Sequence, residues 1–208
     1  MHSRAAGAIF EIMKILMHIC CGPCAIFPSE QLRLSGHQVH GFFGNPNIHP
    51  YQEYVRRRET LAQWAQSIEL PVIYEPEYGL EEFIRAVAFR ETERCQVCYH
   101  LRLEAAAAAA RRGKFDALTT TLLYSRFQKH DLVAEIGREA ARRHQLDFHY
   151  QDFRTGWSEG IRKSRELGMY RQQYCGCIYS EKERYYRKGR DEVSRRPDQG
   201  TSLGQEPD

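Results

Sequence analysis

Long apolar runs are missing from this 208-residue chain. Nothing approaches the ~18 to 20 consecutive apolar residues of a membrane-spanning helix, so no such span is expected. The amino end lacks the small-residue cleavage site of a secretory leader, and it carries Glu11 and Lys14 where an apolar core would be needed. A strong charge of one sign is lacking as well. The net charge of +3 and pI near 8.5 fall short of the pI above ~9 expected of a domain that holds nucleic acid by charge alone. Basic residues do gather, at Arg56-Arg57-Arg58, Arg111-Arg112 with Lys114, Arg142-Arg143 and Arg184 through Arg190. Each group falls on a segment of helical spacing, so a solvated helix face is the plain reading and an RNA partner is permitted without being demanded.

Cysteine is absent from long stretches and crowded elsewhere. All seven cysteines lie in Cys20-Cys21-Gly22-Pro23-Cys24, Cys95-Gln96-Val97-Cys98 and Cys175-Gly176-Cys177. A disulfide-stapled secreted module would scatter them through a shorter chain, usually below ~100 residues. The odd count also leaves one thiol unpaired, which suits a metal ligand and is a liability on an extracellular surface. The expectation is a reducing, cytoplasmic compartment.

At one domain per ~150 residues the length calls for a single domain. Strand-like runs at Ile15 to Ile19, Val39 to Gly44, Val72 to Tyr74, Asp116 to Leu123 and Phe148 to Gln151 alternate with helical segments. Those helices are Ala25 to Leu34, Tyr51 to Ile68, Leu80 to Ala88, one opening at Cys95 and running through the alanine tract Ala105 to Ala110, Lys129 to Arg143, Trp157 to Leu167, and Glu181 to Lys188. Six alanines are good helix formers and need no functional explanation. The alternation predicts an α/β fold, a doubly wound parallel sheet of about five strands, with a cysteine-bearing helical segment added at the carboxyl end. Ligands in such sheets gather at the carboxyl ends of the strands. The loops after strands one, two, four and five (the cysteine loop, Asn45 to His49, Tyr124 to His130 and Asp152 to Arg154) should therefore open on one edge. Asn45, Asn47 and His49 read equally well as caps of the following helix. Residues 1–12 read as an extension outside the fold, because Met13 precedes the first strand directly; an intact native mass beginning at Met1 would contradict this. Residues 190–208 are polar and read as a disordered tail.

Four thiolates around one centre mean zinc or an iron-sulfur cluster. Cys95 and Cys98 form the one plain CxxC; both sit at a helix start, where the dipole favours the thiolate. Cys20 and Cys21 can reach one centre only where the chain leaves the strand, and Gly22-Pro23 is read as the turn that lets it do so. Cys24 supplies a further sulfur that a closed structural zinc site does not need. Cys175-Gly176-Cys177 reads as a redox couple or as two more ligands: a bridge closing so small a ring would be strained and easily reduced.

The segments MHICCGPC (Met17 to Cys24), RCQVCYHLRL (Arg94 to Leu103), TTTLLYSRFQKHD (Thr119 to Asp131) and FHYQDFRTGWSEGIRKSRELGMYRQQYCGCIYS (Phe148 to Ser180) resemble the QueH-type epoxyqueuosine reductases, over about Ile15 to Arg187. The resemblance implies a catalytic domain over 13–189, similar in architecture to adenine-nucleotide hydrolase-like α/β domains. It also implies an enzyme that removes the epoxide oxygen of epoxyqueuosine at the tRNA wobble position, the last step of queuosine biosynthesis. Cys20, Cys21, Cys95 and Cys98 would hold a 4Fe-4S cluster, Cys175 and Cys177 would form a redox-active disulfide, and Cys24 would touch one additional iron ion. Within that reading Tyr124, His130, Asp152 and Tyr174 are candidate proton donors. Arg126, Lys129 and Arg154 are candidates for gripping phosphates, and Tyr51, Phe127 and Trp157 for stacking on bases. No segment resembles a nicotinamide or flavin site, so an electron donor separate from the chain is expected, and oligomeric state is left open. Two rivals stand beside this reading. A cluster-dependent tRNA sulfurtransferase would need a glycine- and serine-rich phosphate cradle, for which a loop with one glycine and a proline is poorly built. A zinc-stabilised RNA-binding module would leave Cys175-Gly176-Cys177 unexplained.

Overall fold

The computed structural model describes residues 12–186, so the expected tail and nearly all of the amino-terminal extension lie outside the described residues. Five strands form one all-parallel sheet in the order β3-β2-β1-β4-β5. They are β1 (Lys14–His18), β2 (Gln38–Phe43), β3 (Val72–Tyr74), β4 (Ala117–Thr120) and β5 (Asp147–Phe148). Central β1 holds Ile15, Leu16 and Met17 in full burial, as a strand covered on both faces must. The order reverses beside β1: successive crossovers run outward through β2 and β3, and the chain then returns to place β4 on the other side. That switch point opens a crevice between the carboxyl ends of β1 and β4.

The helices are α1 (Gly22–Leu34), α2 (Tyr51–Ser67), α3 (Leu80–Val87), α4 (Arg94–Arg112), α5 (His130–Arg143), α6 (Trp157–Glu166) and α7 (Ile178–Tyr185). Helix α1 packs against α2 and α6, and α4 against α5 and β1. The alanine tract is part of this packing: Ala106, Ala107, Ala109 and Ala110 are buried, and their small side chains let α4 lie close to the sheet. No helix among the described residues is long and apolar enough to cross a membrane.

Four boundaries near the site differ from the sequence reading. Helix α1 begins at Gly22, not Ala25, because Pro23 suits a first helical turn that needs no N–H donor. Gly22 and Pro23 are therefore helix, not a separate turn. Strand β4 stops at Thr120, whose hydroxyl accepts the Leu122 N–H at 3.1 Å and winds Thr121–Leu123 into a 3-10 turn. Strand β5 covers only Asp147–Phe148. Helix α7 begins at Ile178, three residues before the expected Glu181, because the Cys177 sulfur accepts the Ser180 N–H at 3.4 Å and caps it.

Candidate active site

The first cysteine group forms where β1 runs into α1. Cys21 is the extended N-cap residue of the helix and Cys24 sits in its first turn, so Cys21-Gly22-Pro23-Cys24 is a second CxxC at a helix start. The sulfurs of Cys20, Cys21 and Cys24 all lie within 4.8 Å of one another and are buried, those of Cys20 and Cys21 being 3.8 Å apart. Beside them, Thr121 on the turn after β4 accepts the Cys20 N–H at 3.1 Å and donates its hydroxyl to the Cys20 sulfur at 3.4 Å. From the carboxyl-terminal segment, Gln172 Nε2 donates to Cys21 at 3.0 Å and to Cys24 at 3.6 Å. Hydrogen bonding to the Cys21 and Cys24 sulfurs holds the Cys20 pKa well below the ordinary range, with Arg102 assisting, despite burial. Burial raises Cys21, and hydrogen bonding to the other two sulfurs raises Cys24.

Cys95 and Cys98 occupy the first turns of α4, as expected, but do not join the three close sulfurs. Cys98 is buried, and burial pushes its thiol up to about 12 against the pull of Arg102. Cys98 packs with Cys177, Phe83 and Val87 in a small cluster of its own. Cys175 and Cys177 carry free thiols. The chain turns between them at Gly176, whose φ of 138° favours glycine. Gln128 Nε2 donates to the Cys175 sulfur at 3.3 Å. Cys175 is exposed by area, yet the protein packed round its thiol raises its pKa.

A cleft of about 430 Å³ joins these pieces. Cys20, Cys24 and Cys175 face it together with Tyr124, Gln128, Trp157 and Arg102. The Tyr124 hydroxyl donates to the Trp157 carbonyl at 3.1 Å, and burial raises its pKa. Trp157 lies against Tyr124 and Phe127, and the Arg126 guanidinium sits 5.9 Å from its ring centre. Arg126, Phe127 and Lys129 are exposed on the same loop.

His130, Asp152, Arg154 and Tyr51 lie outside the cleft, whereas Tyr174 lines it. His130 contacts the Tyr150 hydroxyl at 3.2 Å. Asp152 grips Arg154 through two contacts at 2.7 and 2.8 Å, and these hydrogen bonds lower its pKa to about 2. None of His130, Asp152 and Arg154 lines the cleft. Tyr51 is exposed and stacks on Tyr54. Asn45, Asn47 and His49 do not cap α2, whose N-cap is Pro50 with no side-chain hydrogen bond. Instead this loop is a ledge beneath the cysteine hairpin: the His49 N–H donates to the Gly176 carbonyl at 2.8 Å and the Tyr174 hydroxyl donates to the His49 carbonyl. Burial raises the Tyr174 hydroxyl to about 12.

Two arginines escaped the sequence reading. Arg57 belongs to a basic triplet read as solvated, yet it is 1% exposed. Its Nη1 and Nη2 donate to the Cys175 and Tyr174 carbonyls at 2.9 and 3.0 Å, and its Nε donates to Glu53 at 2.7 Å. Glu53 also accepts from the Tyr170 hydroxyl. The i,i+4 pairing of Glu53 with Arg57 was the available signal. Arg102 is buried beneath the site, donating to His18 Nε2 at 3.3 Å and facing the Cys98 sulfur at 3.7 Å.

The comparisons with known proteins agree on one family. The model of the family "Epoxyqueuosine reductase QueH" matches residues 15–183. Epoxyqueuosine reductase QueH of Dehalococcoides mccartyi is 33% identical over 172 residues, which cover 83% of this chain and 94% of that protein. The protein of the same name from Thermotoga maritima is 34% identical over 192 residues, 88% of this chain and 96% of the relative. That from Acinetobacter baylyi is 34% identical over 176 residues, 80% of each chain. With a family match over most of its length and a cleft on which cysteines of the first and third groups converge, this chain belongs to the epoxyqueuosine reductase QueH family.

Proposed function

We propose that this chain reduces the epoxide of epoxyqueuosine in the anticodon wobble position of tRNA, giving queuosine. The observation that carries the reading is the convergence of Cys20, Cys24 and Cys175 on one cleft walled by aromatic side chains and arginine. The family names support the reaction. The all-sulfur donor set fits a soft metal centre, and we assign a 4Fe-4S cluster to Cys20, Cys21, Cys95 and Cys98, with Cys24 as a ligand to one additional iron. When bound, such a cluster supplies electrons one at a time.

Opening the epoxide to an alkene takes up two electrons and two protons and releases the oxygen as water. Oxidation of the Cys175-Cys177 dithiol to a disulfide yields two electrons and two protons, which balances the step. A donor separate from the chain then restores the dithiol. The raised pKa of Cys175 keeps its proton in place until it is needed. Tyr124, held protonated by burial on the cleft wall, is positioned to relay one of the two thiol protons to the leaving oxygen, being reprotonated as it does so. Asp152 with a pKa of about 2 is ionised at neutral pH, so we assign it to holding Arg154 rather than to giving up a proton. Trp157 and Phe127 offer stacking surfaces for bases, while Arg126, Lys129, Arg171 and Arg184 offer charge for the phosphates.

One observation favours a second reading. Metal-sulfur bonds of ~2.3 Å to a single tetrahedral ion place ligand sulfurs about 3.8 Å apart, the spacing of Cys20 and Cys21. A zinc-stabilised RNA-binding module would use the three close sulfurs in that way. The readings separate in single turnover on epoxyqueuosine-containing tRNA under dithionite. Queuosine formed by the wild type and lost in Cys175→Ser and Cys177→Ser supports the reductase; tRNA binding without any product supports the module.

A further inference from the structure

Among the described residues two guanidinium groups, those of Arg57 and Arg102, are buried beside the thiols, and they are compensated differently. Arg57 meets a carboxylate, Glu53, at 2.7 Å. Arg102 is 1% exposed, and among the described residues no carboxylate pairs with it. Its Nε stands 3.3 Å from His18 Nε2, which also faces Asn45 Oδ1 at 3.3 Å, while His18 Nδ1 stands 2.9 Å from Thr120 Oγ1. A buried cation without an anion is strongly unfavourable. The groups within reach that become anionic on binding a metal are the cysteine sulfurs. Arg102 Nη1 stands 3.7 Å from the Cys98 sulfur, and Arg102 faces the cleft that Cys20 and Cys175 line.

We propose that Arg102 is the fixed counter-cation of the metal-thiolate centre, a positioning residue that stabilises the centre in its more reduced, more negative state. The inference rests on the iron-sulfur reading above. Reduction adds one electron to the centre while Arg102 neither gains nor loses a proton. The net charge of the centre therefore falls by one beside a cation that cannot move away, and the reduced form is favoured. The neighbouring His18, held between Thr120 and Asn45, keeps the guanidinium in place.

The test is an anaerobic redox titration with dithionite and mediator dyes, followed by EPR, on reconstituted wild type, Arg102→Gln and Arg102→Lys. At the wild-type midpoint the Arg102→Gln centre is expected to show a reduced-to-oxidised ratio at least tenfold lower, a shift of about 59 mV to more negative potential for a one-electron couple. Arg102→Lys is expected to stay within twofold. An Arg102→Gln centre that titrates with the wild type overturns the proposal, and a raised KM for tRNA in the same variant would reassign Arg102 to substrate contact. If Arg102→Gln holds no iron while its far-UV circular dichroism is native, Arg102→Lys decides: iron retained at the wild-type potential upholds the charge role, and any other outcome overturns it. Wild-type protein that takes up no iron and sulfide fails the iron-sulfur reading itself. A loaded wild type with an unmoved Arg102→Gln potential fails this inference alone.

Discussion

Replacing Arg57 by Met tests how the cysteine hairpin is held. Methionine preserves much of the apolar stem but removes the charge that Glu53, 7% exposed, faces at 2.7 Å, and the donors that grip the Tyr174 and Cys175 carbonyls. Removing one partner of a buried ion pair costs about 3–5 kcal/mol, because the other charge is left uncompensated. For a domain of this size each kcal/mol moves Tm by ~2–4 °C, so Arg57→Met is expected to melt ~6–20 °C below the wild type. Urea unfolding gives the free energy and thermal circular dichroism the Tm, both on apo protein so that metal loss does not enter. Glu53→Gln combined with Arg57→Met should recover at least ~1 kcal/mol of the summed single losses, as expected for residues in contact. A second readout is local: with its carbonyl unpinned, Cys175 should be alkylated by iodoacetamide faster than in the wild type, while buried Cys98 stays unreactive. A loss below ~1 kcal/mol, or additive variants within ~0.5 kcal/mol, would refute the clamp.

Gly176→Ala should cost ~1–3 kcal/mol, because φ is 138° and the new Cβ would meet Ile48, Arg57 Nη1 and Asn47 Nδ2 at 3.1, 3.2 and 3.2 Å; a wild-type Tm would contradict this. Trp157→Ala should weaken substrate tRNA binding by the worth of one stacked base, ~1–3 kcal/mol or about 5- to 150-fold in Kd, with little change in turnover at saturation; an unchanged Kd removes Trp157 from the interface. Asp152→Asn should cost less than ~1 kcal/mol at pH 7, since the Asp152-Arg154 pair is half exposed and screened. Because the folded pKa of Asp152 is depressed to about 2, its contribution is present above the unfolded value near ~3.9 and is lost as pH falls toward 2. Urea midpoints of the two proteins should therefore converge between those pH values, and a gap that stays constant would rule out the ion pair as its source.

The alternation of strands and helices was legible because it rests on periodicity over long segments, and the edge on which the loops gather follows from a parallel sheet. Boundaries at the site were not legible. The end of β4 is set by the Thr120 hydroxyl turning back on Leu122, and the start of α1 by Pro23 inside the Cys20 to Cys24 loop. The cysteine groups were visible as clusters, whereas the order of closeness was not: Cys24 joins Cys20 and Cys21 because a helix, not a free turn, carries it. Burial of charge was the largest omission. Arg57 and Arg102 look like ordinary helix-surface arginines in sequence, and only their tertiary partners, the hairpin carbonyls for one and sulfur with His18 for the other, make burial tolerable. His130, Asp152 and Arg154 fell on the expected edge but form a group of their own beside Tyr150. The sheet edge is wider than the cleft.

The central claim is that the gathered cysteines hold an iron-sulfur centre which serves the reductase. It is tested most directly by measuring iron, zinc and acid-labile sulfide per chain in protein purified without oxygen, and then single-turnover conversion of epoxyqueuosine-containing tRNA by the same sample. About four irons and four sulfides with queuosine formed is the predicted result, and one further iron lost in Cys24→Ser would mark the additional ion. One zinc, no sulfide and no queuosine would contradict the account.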